Sequence, residues 1–257
     1  MSSAPPEEAE QEQSFLSHLI ELRTRIVRAA VSVLIALLAL TPFMKQIYDL
    51  LAAPMLAALP QGSKMIATGI ITPFLVPLKV TLLAAFVLAL PYVLYQAWAF
   101  VAPGLYRHEK RLAFPIVISS YIMFLAGVAF CYFVVFRFLF PIIASFAPTS
   151  ISISPDIEAY FGFVLTMFVA FGLTFETPVV IVVLTRLGIV SIEKLKSIRP
   201  YFVVVAFIIA AIVTPPDVTS QMMLALPLIV LYQLGLWASA ALERFAPRAR
   251  DETPRAA

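Results

Sequence analysis

The sequence predicts an all-α integral membrane protein with six transmembrane helices and both termini in the cytoplasm. Of its 257 residues, 61% are hydrophobic and only 13% are charged, and the mean hydropathy is +0.96. Soluble domains carry about 25% charged residues, so this composition strongly disfavours a water-soluble fold. Apolar runs recur along nearly the whole chain, which indicates one helical membrane bundle.

Four of the apolar runs are long enough to cross the hydrocarbon core of a bilayer, which takes a helix of about 20 residues. Two further runs, 201–213 and 220–241, flank the turn Thr214-Pro215-Pro216-Asp217, whose consecutive prolines stop a helix. This pair is therefore expected to form a hairpin that completes the six helices. The four longer runs cover residues 26–44, 76–100, 112–140 and 159–185.

The fifth run is too short to cross an ordinary bilayer upright. Only 14 residues lie between Pro200 and Pro215. At 1.5 Å per residue they reach about 21 Å. Two arrangements fit this length: the bilayer thins locally, or the pair is a re-entrant hairpin whose turn is surrounded by protein or water at membrane depth. Both return the chain to the same side, so the last two helices are expected to be short.

The basic residues predict the orientation of the bundle. When successive runs alternate across the membrane, 14 of the 18 lysines and arginines fall on one side. Positively charged residues concentrate on the cytoplasmic side of membrane proteins, so this side, which includes both termini, is predicted to be cytoplasmic. The residues on it are Arg23, Arg25, Arg28, Arg107, Lys110, Arg111, Arg186, Lys194, Lys196, Arg199, Arg244, Arg248, Arg250 and Arg255.

The regions outside the spans differ in character. Residues 14–28 have apolar side chains at helical spacing, so they are expected to form an amphipathic helix that runs into the first span. The longer non-cytoplasmic loops, 45–73 and 146–157, are expected to cap the bundle. The chain thus divides into a disordered acidic tail, a membrane domain and a basic cytoplasmic tail, over residues 1–13, 14–241 and 242–257.

Glu176 is the charged residue that most needs an explanation, because it lies well inside the fourth apolar run. A carboxylate there costs about 3 kcal/mol on insertion scales. Either it is a protonated or hydrogen-bonded packing residue, or it is a functional group that faces a wet cavity. The neighbouring Pro178 frees a backbone carbonyl and favours local hydration, and intramembrane acids usually mark functional sites.

Two other groups of polar residues have both an ordinary and a functional interpretation. Asp217, at the tip of the predicted hairpin, is suited to cap the following helix, and this is compatible with a contact to a partner protein. Glu21 lies four residues before Arg25, which is the spacing of an intrahelical ion pair. The turn at residues 100–111 concentrates aromatic, acidic and basic groups, and on spacing alone it is an ordinary solvated loop.

The sequence offers little support for catalysis, metal binding or nucleic-acid binding. His18 and His108 lack the companions that a metal site needs, and there is no motif of a hydrolase or a phosphate loop. The basic residues form short groups without interleaved aromatics, which is not typical of a nucleic-acid interface. The main alternative is a proton-coupled transporter with Glu176 as its proton carrier, but the inverted repeat of such transporters is absent.

Three stretches together resemble the TatC family. They are HLIELR at residues 18–23, FVAPGLYRHEKR at residues 100–111, and TPPD at residues 214–217 followed by Ser220 and Gln221. Each stretch alone is moderately specific, but their order and the six-span pattern extend the resemblance over residues 14–240. The sequence is therefore identified as a member of this family.

The resemblance implies a concave, glove-like bundle in the plasma (inner) membrane that has no cofactor and catalyses no reaction. It implies a receptor for signal peptides with a consecutive arginine pair, which assembles with the single-span proteins TatA and TatB and with further copies of itself. Export of folded proteins would be driven by the proton gradient. The residues expected to bind the signal peptide are Glu21, Arg23, Phe100, Leu105 and Glu109.

The resemblance also assigns expected roles outside the peptide-binding surface. Glu176 is expected to face the membrane cavity, and Pro54 belongs to the periplasmic cap. The expected contacts with partner helices lie at the periplasmic hairpin, at Thr214, Asp217, Gln221 and Met222.

Overall fold

The computed structural model describes residues 6–59, 64–101, 110–146, 154–214 and 217–245. Within these residues, six helical segments are long and apolar enough to cross a membrane. The prediction of an all-α protein with six membrane-spanning segments is thereby confirmed. The segments are Leu19–Ala58, Thr72–Phe100, Phe114–Ser145, Ile157–Arg186, Ile192–Val213 and Val218–Arg244.

These segments are built from nine α-helices in the described part of the chain. The first, third and fourth segments each join two helices, whereas the other three are single helices. The helices are α1 Pro6–Leu40, α2 Met44–Ala58, α3 Thr72–Val101, α4 Lys110–Phe130, α5 Phe136–Ser145, α6 Ile157–Phe175, α7 Thr177–Arg186, α8 Ile192–Val213 and α9 Val218–Phe245.

The first segment is more helical than expected at both ends. α1 begins at Pro6, so residues 6–13, expected to be a disordered tail, belong to a helix that continues into the first span. A proline fits the first turn because its missing N–H would have no partner there. After a 3₁₀ turn, α2 extends to Ala58, so the prediction of a loop from residue 45 is wrong as far as residue 58. Alanine, leucine and methionine dominate α2, and these residues favour a helix.

The third and fourth segments each contain an irregular turn between two helices. A π-helical turn, Cys131–Val135, joins α4 to α5, ahead of Pro141. Glu176 joins α6 to α7, and Pro178 is the second residue of α7. Pro178 has no N–H to donate to the last turn of α6, so the regular hydrogen-bond ladder is interrupted at this junction.

α8 is longer than the apolar run that predicted it. It begins at Ile192, continues through Pro200 and contains 22 residues. This length corresponds to about 33 Å. The expectation that Pro200 limits this helix is therefore wrong, although its apolar part still begins after that residue. Ser191 starts the helix by accepting a hydrogen bond from the Lys194 amide at 3.2 Å, and a buried Leu195 anchors the added turns.

The helices form two compact units. The first contains Met1–Leu50 and Phe74–Tyr121, and the second contains Leu51–Pro73 and Ile122–Ala257. In the first unit, Ala36 of α1 packs against Ala85 and Ala89 of α3. These small side chains let the two helices approach closely, as is common in membrane proteins.

In the second unit, α9 packs against α7 and α8. Ile181, Leu195, Tyr232 and Leu236 form one buried cluster at this contact. The Tyr232 hydroxyl donates a hydrogen bond to the Leu195 carbonyl at 2.7 Å, so the polar end of the ring is satisfied inside the apolar cluster. The ring also stacks on Phe202, with 4.0 Å between the ring centroids. The three helices are thereby tied together.

Asp156 fixes the segment that precedes α6. Its Oδ1 accepts hydrogen bonds from the Glu158 and Ala159 amides at 2.9 and 3.0 Å, which makes it the N-cap of α6. Its Oδ2 accepts from the Thr68 hydroxyl at 2.8 Å, and Ile66 forms a backbone bridge beside it. The bond from the Ala159 amide, followed by that from the Thr68 hydroxyl, holds the pKa of Asp156 below its usual value. The contribution of this ionised cap to stability is therefore lost only as the pH falls through that lowered pKa.

Candidate functional site

Glu21 is held by an ion pair on α1. Nε of Arg25, four residues later, donates to Glu21 Oε1 at 2.9 Å, and Arg25 Nη2 donates to the same oxygen. The side chains of Arg25 and Glu21 are 21% and 37% exposed, so the pair is only partly shielded from solvent. The intrahelical pair expected from the spacing is confirmed. Glu21 Oε2 accepts no hydrogen bond within the part of the chain that the structure describes.

Gln96 of α3 completes this group of side chains. Its Oε1 accepts a hydrogen bond from Arg25 Nη1 at 3.3 Å, and the residue is only 4% exposed. Arg25 therefore bridges the carboxylate on α1 and a buried amide on α3. We call Glu21, Arg25 and Gln96 the α1–α3 polar bridge.

The packing of α1 on α3 brings Phe100 to the level of Glu21. Residue 25 meets residue 96, whereas residue 36 packs against residues 85 and 89, so the two helices run antiparallel. Glu21 lies one turn before Arg25 and Phe100 lies one turn after Gln96, on the same helix faces. Along the helix axes, Glu21 and Phe100 therefore both lie about 6 Å from the contact between Arg25 and Gln96, in the same direction. Phe100 is half-buried.

Of the other residues predicted to bind the signal peptide, the structure describes only Arg23. Arg23 is exposed, and two residues correspond to a rotation of about 200° around a helix, so it lies on the opposite side of α1 from Glu21. Leu105 and Glu109 lie outside the described residues. The structure thus brings Glu21 and Phe100 together with Arg25, whose pairing with Glu21 the sequence predicted, and with Gln96, which the sequence did not single out.

Glu176 lies at the junction of α6 and α7 in the second unit. Its side chain is half-buried and its Oε1 is shielded from solvent. The helices α7 and α9 approach closely beside it, because a Cβ on Gly235 of α9 would lie 3.0 Å from Pro178 Cα. Glu176 thus lies two residues from a close contact of α7 with α9, at the interruption between α6 and α7.

The predicted hairpin residues mainly cap and join α8 and α9. Asp217 Oδ1 accepts a hydrogen bond from the Ser220 amide at 2.7 Å, so the capping interpretation of Asp217 is confirmed. The buried Thr214 hydroxyl donates to the Ala210 carbonyl at 2.8 Å, and Gln221 Nε2 donates to the Phe207 carbonyl at 3.2 Å. Met222 is 37% exposed and is the most accessible of the four predicted contacts.

Pro54 lies inside α2 and is half-buried, so it belongs to a helix and not to an irregular loop. The neighbouring Leu51 carbonyl accepts a hydrogen bond from the Tyr160 hydroxyl at 2.8 Å, which ties this helix to α6 within the second unit. Among the described residues, no group of three or more His, Cys, Asp or Glu side chains is placed to hold a metal ion.

Gln96 is the site residue that sequence reasoning missed. A single glutamine in an apolar run near the end of a span looks like an interfacial residue, because nothing in the sequence gives its depth or its partner. The available signal was its position one turn before Phe100, which places both residues on one face of the helix.

Comparison with known proteins gives one consistent result. The family described as Sec-independent protein translocase protein (TatC) matches residues 17–227. The TatC protein of Halothiobacillus neapolitanus is 49% identical over 225 residues, which are 88% of this chain and 62% of that longer protein. The TatC protein of Escherichia coli strain K12 is 46% identical over 230 residues, which are 90% of this chain and 89% of that protein.

A solved structure agrees with the sequence comparison. The crystal structure of a TatC described as a twin-arginine translocase receptor matches with a TM-score of 0.76 and 36% sequence identity, over 87% of this chain and 98% of that chain. Together with the six apolar helices, these matches show that the chain is a multi-pass membrane component of a protein translocase. This is a transport role and not an enzymatic one. The chain belongs to the TatC family of Sec-independent protein translocase proteins.

Proposed function

We propose that this chain is the receptor subunit of a twin-arginine translocation system. At the cytoplasmic face of the plasma (inner) membrane, it binds signal peptides that carry a consecutive arginine pair. It then nucleates assembly with TatA, TatB and further copies of itself for export of folded proteins driven by the proton gradient. The observation that carries this proposal is the position of Glu21, which is held by Arg25 at the level of the half-buried Phe100.

The chemistry of arginine explains why an oriented carboxylate is needed. A guanidinium group donates several hydrogen bonds in a planar fork that matches a carboxylate, whereas the lysine ammonium group is a compact charge without that fork. Arg25 occupies Glu21 Oε1, so Oε2 is the oxygen available for the peptide. Two arginines need two acceptors, and we assign the second to Glu109.

Burial then supplies the discrimination between arginine and lysine. Fully exposed ion pairs contribute only about 0.2–1 kcal/mol each, which is too little for a specific receptor. The partly shielded Glu21 beside Phe100 offers a less hydrated site. We infer that Phe100 and Leu105 exclude water around the arginine pair and so strengthen its hydrogen bonds to the carboxylates.

Peptide binding in mild detergent tests this proposal. A twin-arginine peptide should bind the wild-type protein more tightly than its twin-lysine counterpart. Glu21→Ala and Glu109→Ala should each weaken arginine binding by about tenfold or more, because each loses a hydrogen bond between charged groups. Glu193→Ala, which removes an exposed glutamate from the first turn of α8, is the matched control and should bind as the wild type does.

Equal binding of the two peptides would rule out the proposed recognition. If neither peptide binds the purified protein, the same comparison in membranes that contain TatA and TatB decides the matter. A lack of arginine preference there as well would contradict the proposal.

The membrane orientation is part of the proposal. We place both termini and the loop after α3 in the cytoplasm, because most lysines and arginines lie on that side of the predicted spans. The segment from Pro54 to the start of α3 and the segment before α6 then form the periplasmic cap. In this orientation Glu176 lies within the membrane, where we propose that it helps to admit the apolar part of the signal peptide or a partner helix.

The hairpin between α8 and α9 is the proposed contact for the single-span partners. Met222 supports this role, because it is partly exposed and methionine side chains adapt to different partners. Thr214, Asp217 and Gln221 support the hairpin through the hydrogen bonds that cap and join its helices.

Crosslinking tests the hairpin contact. A photoreactive residue at position 222 should crosslink to TatB or TatA in assembled membranes. The same residue at the exposed position 133, on the third segment, serves as the control for general lipid exposure. Crosslinks from position 222 to lipid alone would contradict the contact.

A further inference from the structure

We propose that Gln96 is a positioning residue for recognition of the arginine pair. Through Arg25, it fixes Glu21 in the conformation that leaves Oε2 available to a guanidinium group. This inference rests on the proposed function and adds a residue that acts without touching the peptide.

The connection follows from the α1–α3 polar bridge. Gln96 Oε1 accepts from Arg25 Nη1, while Arg25 Nε and Nη2 both donate to Glu21 Oε1. The guanidinium group is planar, so a hydrogen bond at one end restricts the direction in which its other donors point. Gln96 therefore limits the positions that Glu21 can take, although 71 residues separate Gln96 from Arg25 in the sequence.

The burial of Gln96 restricts the motion of the side chain that holds Arg25. The residue is only 4% exposed, and one helical turn earlier α3 carries apolar side chains that pack against α1. A buried amide oxygen needs a hydrogen-bond donor, and Arg25 provides the one that the described residues show. The contact is thus maintained by the cost of leaving the amide unsatisfied, in addition to its own strength.

A neutral acceptor suits this task better than a carboxylate. An acidic side chain at position 96 would compete with Glu21 for the positive charge of Arg25. The amide holds the guanidinium group in place without that competition, so Arg25 remains available to the carboxylate. Glu21 is then oriented before the peptide arrives, and binding loses less side-chain entropy.

The inference predicts that loss of the amide weakens arginine recognition more than it weakens the fold. Gln96→Met has nearly the same shape but lacks the hydrogen-bonding group, so the packing of α3 is retained. We expect its affinity for the twin-arginine peptide to fall about three- to tenfold, as one hydrogen bond to a charged group is lost. Affinity for the twin-lysine peptide should change less, so the ratio of the two affinities should decrease.

A second variant removes the contact between Arg25 and Gln96 by a change on α1. Arg25→Lys keeps the positive charge beside Glu21 but cannot bridge to Gln96 in the same geometry. It should therefore cause a similar loss of arginine preference. The double variant that combines Gln96→Met with Arg25→Lys should lose little more arginine preference than either single variant, because both changes break the same contact between Arg25 and Gln96. Gln46→Met makes the same chemical change at an exposed position of α2 and serves as the control.

The experiment separates failure of this inference from failure of the proposed function. If Glu21→Ala loses arginine preference but Arg25→Lys retains it, Gln96 does not act through Arg25 and the inference is overturned. Additive losses in the double variant would also overturn it. If Glu21→Ala itself keeps full arginine preference, the recognition site is elsewhere and both proposals fall. Thermal unfolding of each variant identifies any loss that arises from misfolding, and Arg25→Lys, at a partly exposed position, decides the matter if Gln96→Met does not fold.

Discussion

Replacing Gly127 with leucine is expected to prevent the second compact unit from packing. A Cβ at this position would lie 2.4 Å from the Phe171 carbonyl oxygen and 2.9 Å from its carbonyl carbon. Those atoms belong to the backbone of α6, so no change of rotamer can relieve the contact. α4 and α6 would have to move apart, and overpacking of this kind costs about 3 kcal/mol or more when backbone must shift.

Gly162 provides a matched control for this prediction. It also lies in a helix of the second unit, but a Cβ there would meet no atom within 4 Å. Gly162→Leu should leave the unfolding midpoint unchanged or raise it, because leucine favours a helix by about 0.8 kcal/mol relative to glycine. Thermal unfolding in detergent compares the two variants with the wild type. A wild-type midpoint for Gly127→Leu would show that α4 and α6 do not meet as described.

These two glycines show what the sequence could not predict. Each lies in an apolar helical run, and local sequence does not distinguish them. The difference comes from the helix that packs opposite each one, which depends on the tertiary fold. The six spans, in contrast, were predictable because the length and polarity of each apolar run are local properties.

Helix ends were the least predictable part of the fold. The sequence placed the fifth apolar run at residues 201–213, directly after Pro200. The structure starts α8 at Ile192, since the Ser191 cap and the buried Leu195 support two earlier turns. Long-range packing therefore outweighed a local signal that is usually reliable.

The candidate site was predictable in its local contacts only. The pairing of Glu21 with Arg25 and the cap at Asp217 both follow from spacing along the chain. The contact between Arg25 and Gln96 joins two helices, so it depends on the register in which α1 packs against α3. That register is set by small residues such as Ala36 and Ala85, whose partners cannot be read from the sequence alone.

Removing the carboxylate of Glu176 is expected to cause a large loss of export. The residue lies where α6 ends and α7 begins, and its Oε1 is shielded from solvent within the fourth membrane segment. A carboxylate is costly in that environment, so its presence favours a role in transport over one in stability. Glu176→Ala should therefore lower export of a twin-arginine precursor about tenfold or more, the size expected for loss of a charged hydrogen-bonding group.

Comparison with Glu176→Gln identifies what the carboxylate contributes. Glutamine keeps a similar shape and a hydrogen-bonding oxygen but cannot ionise. If a hydrogen bond alone is needed, Glu176→Gln should restore most of the export that Glu176→Ala loses; if the charge is needed, both variants should be impaired alike. Glu193→Gln, at an exposed site in the first turn of α8, is the control and should export as the wild type does.

Measurements of peptide binding show which step of export the Glu176 variants affect. Glu176 and the α1–α3 polar bridge belong to different compact units, so both Glu176 variants should retain the preference for the twin-arginine peptide at Glu21. A loss of export with intact peptide binding assigns Glu176 to a step after recognition. Normal export in both variants would exclude the proposed role and leave Glu176 as a packing residue at the break between α6 and α7.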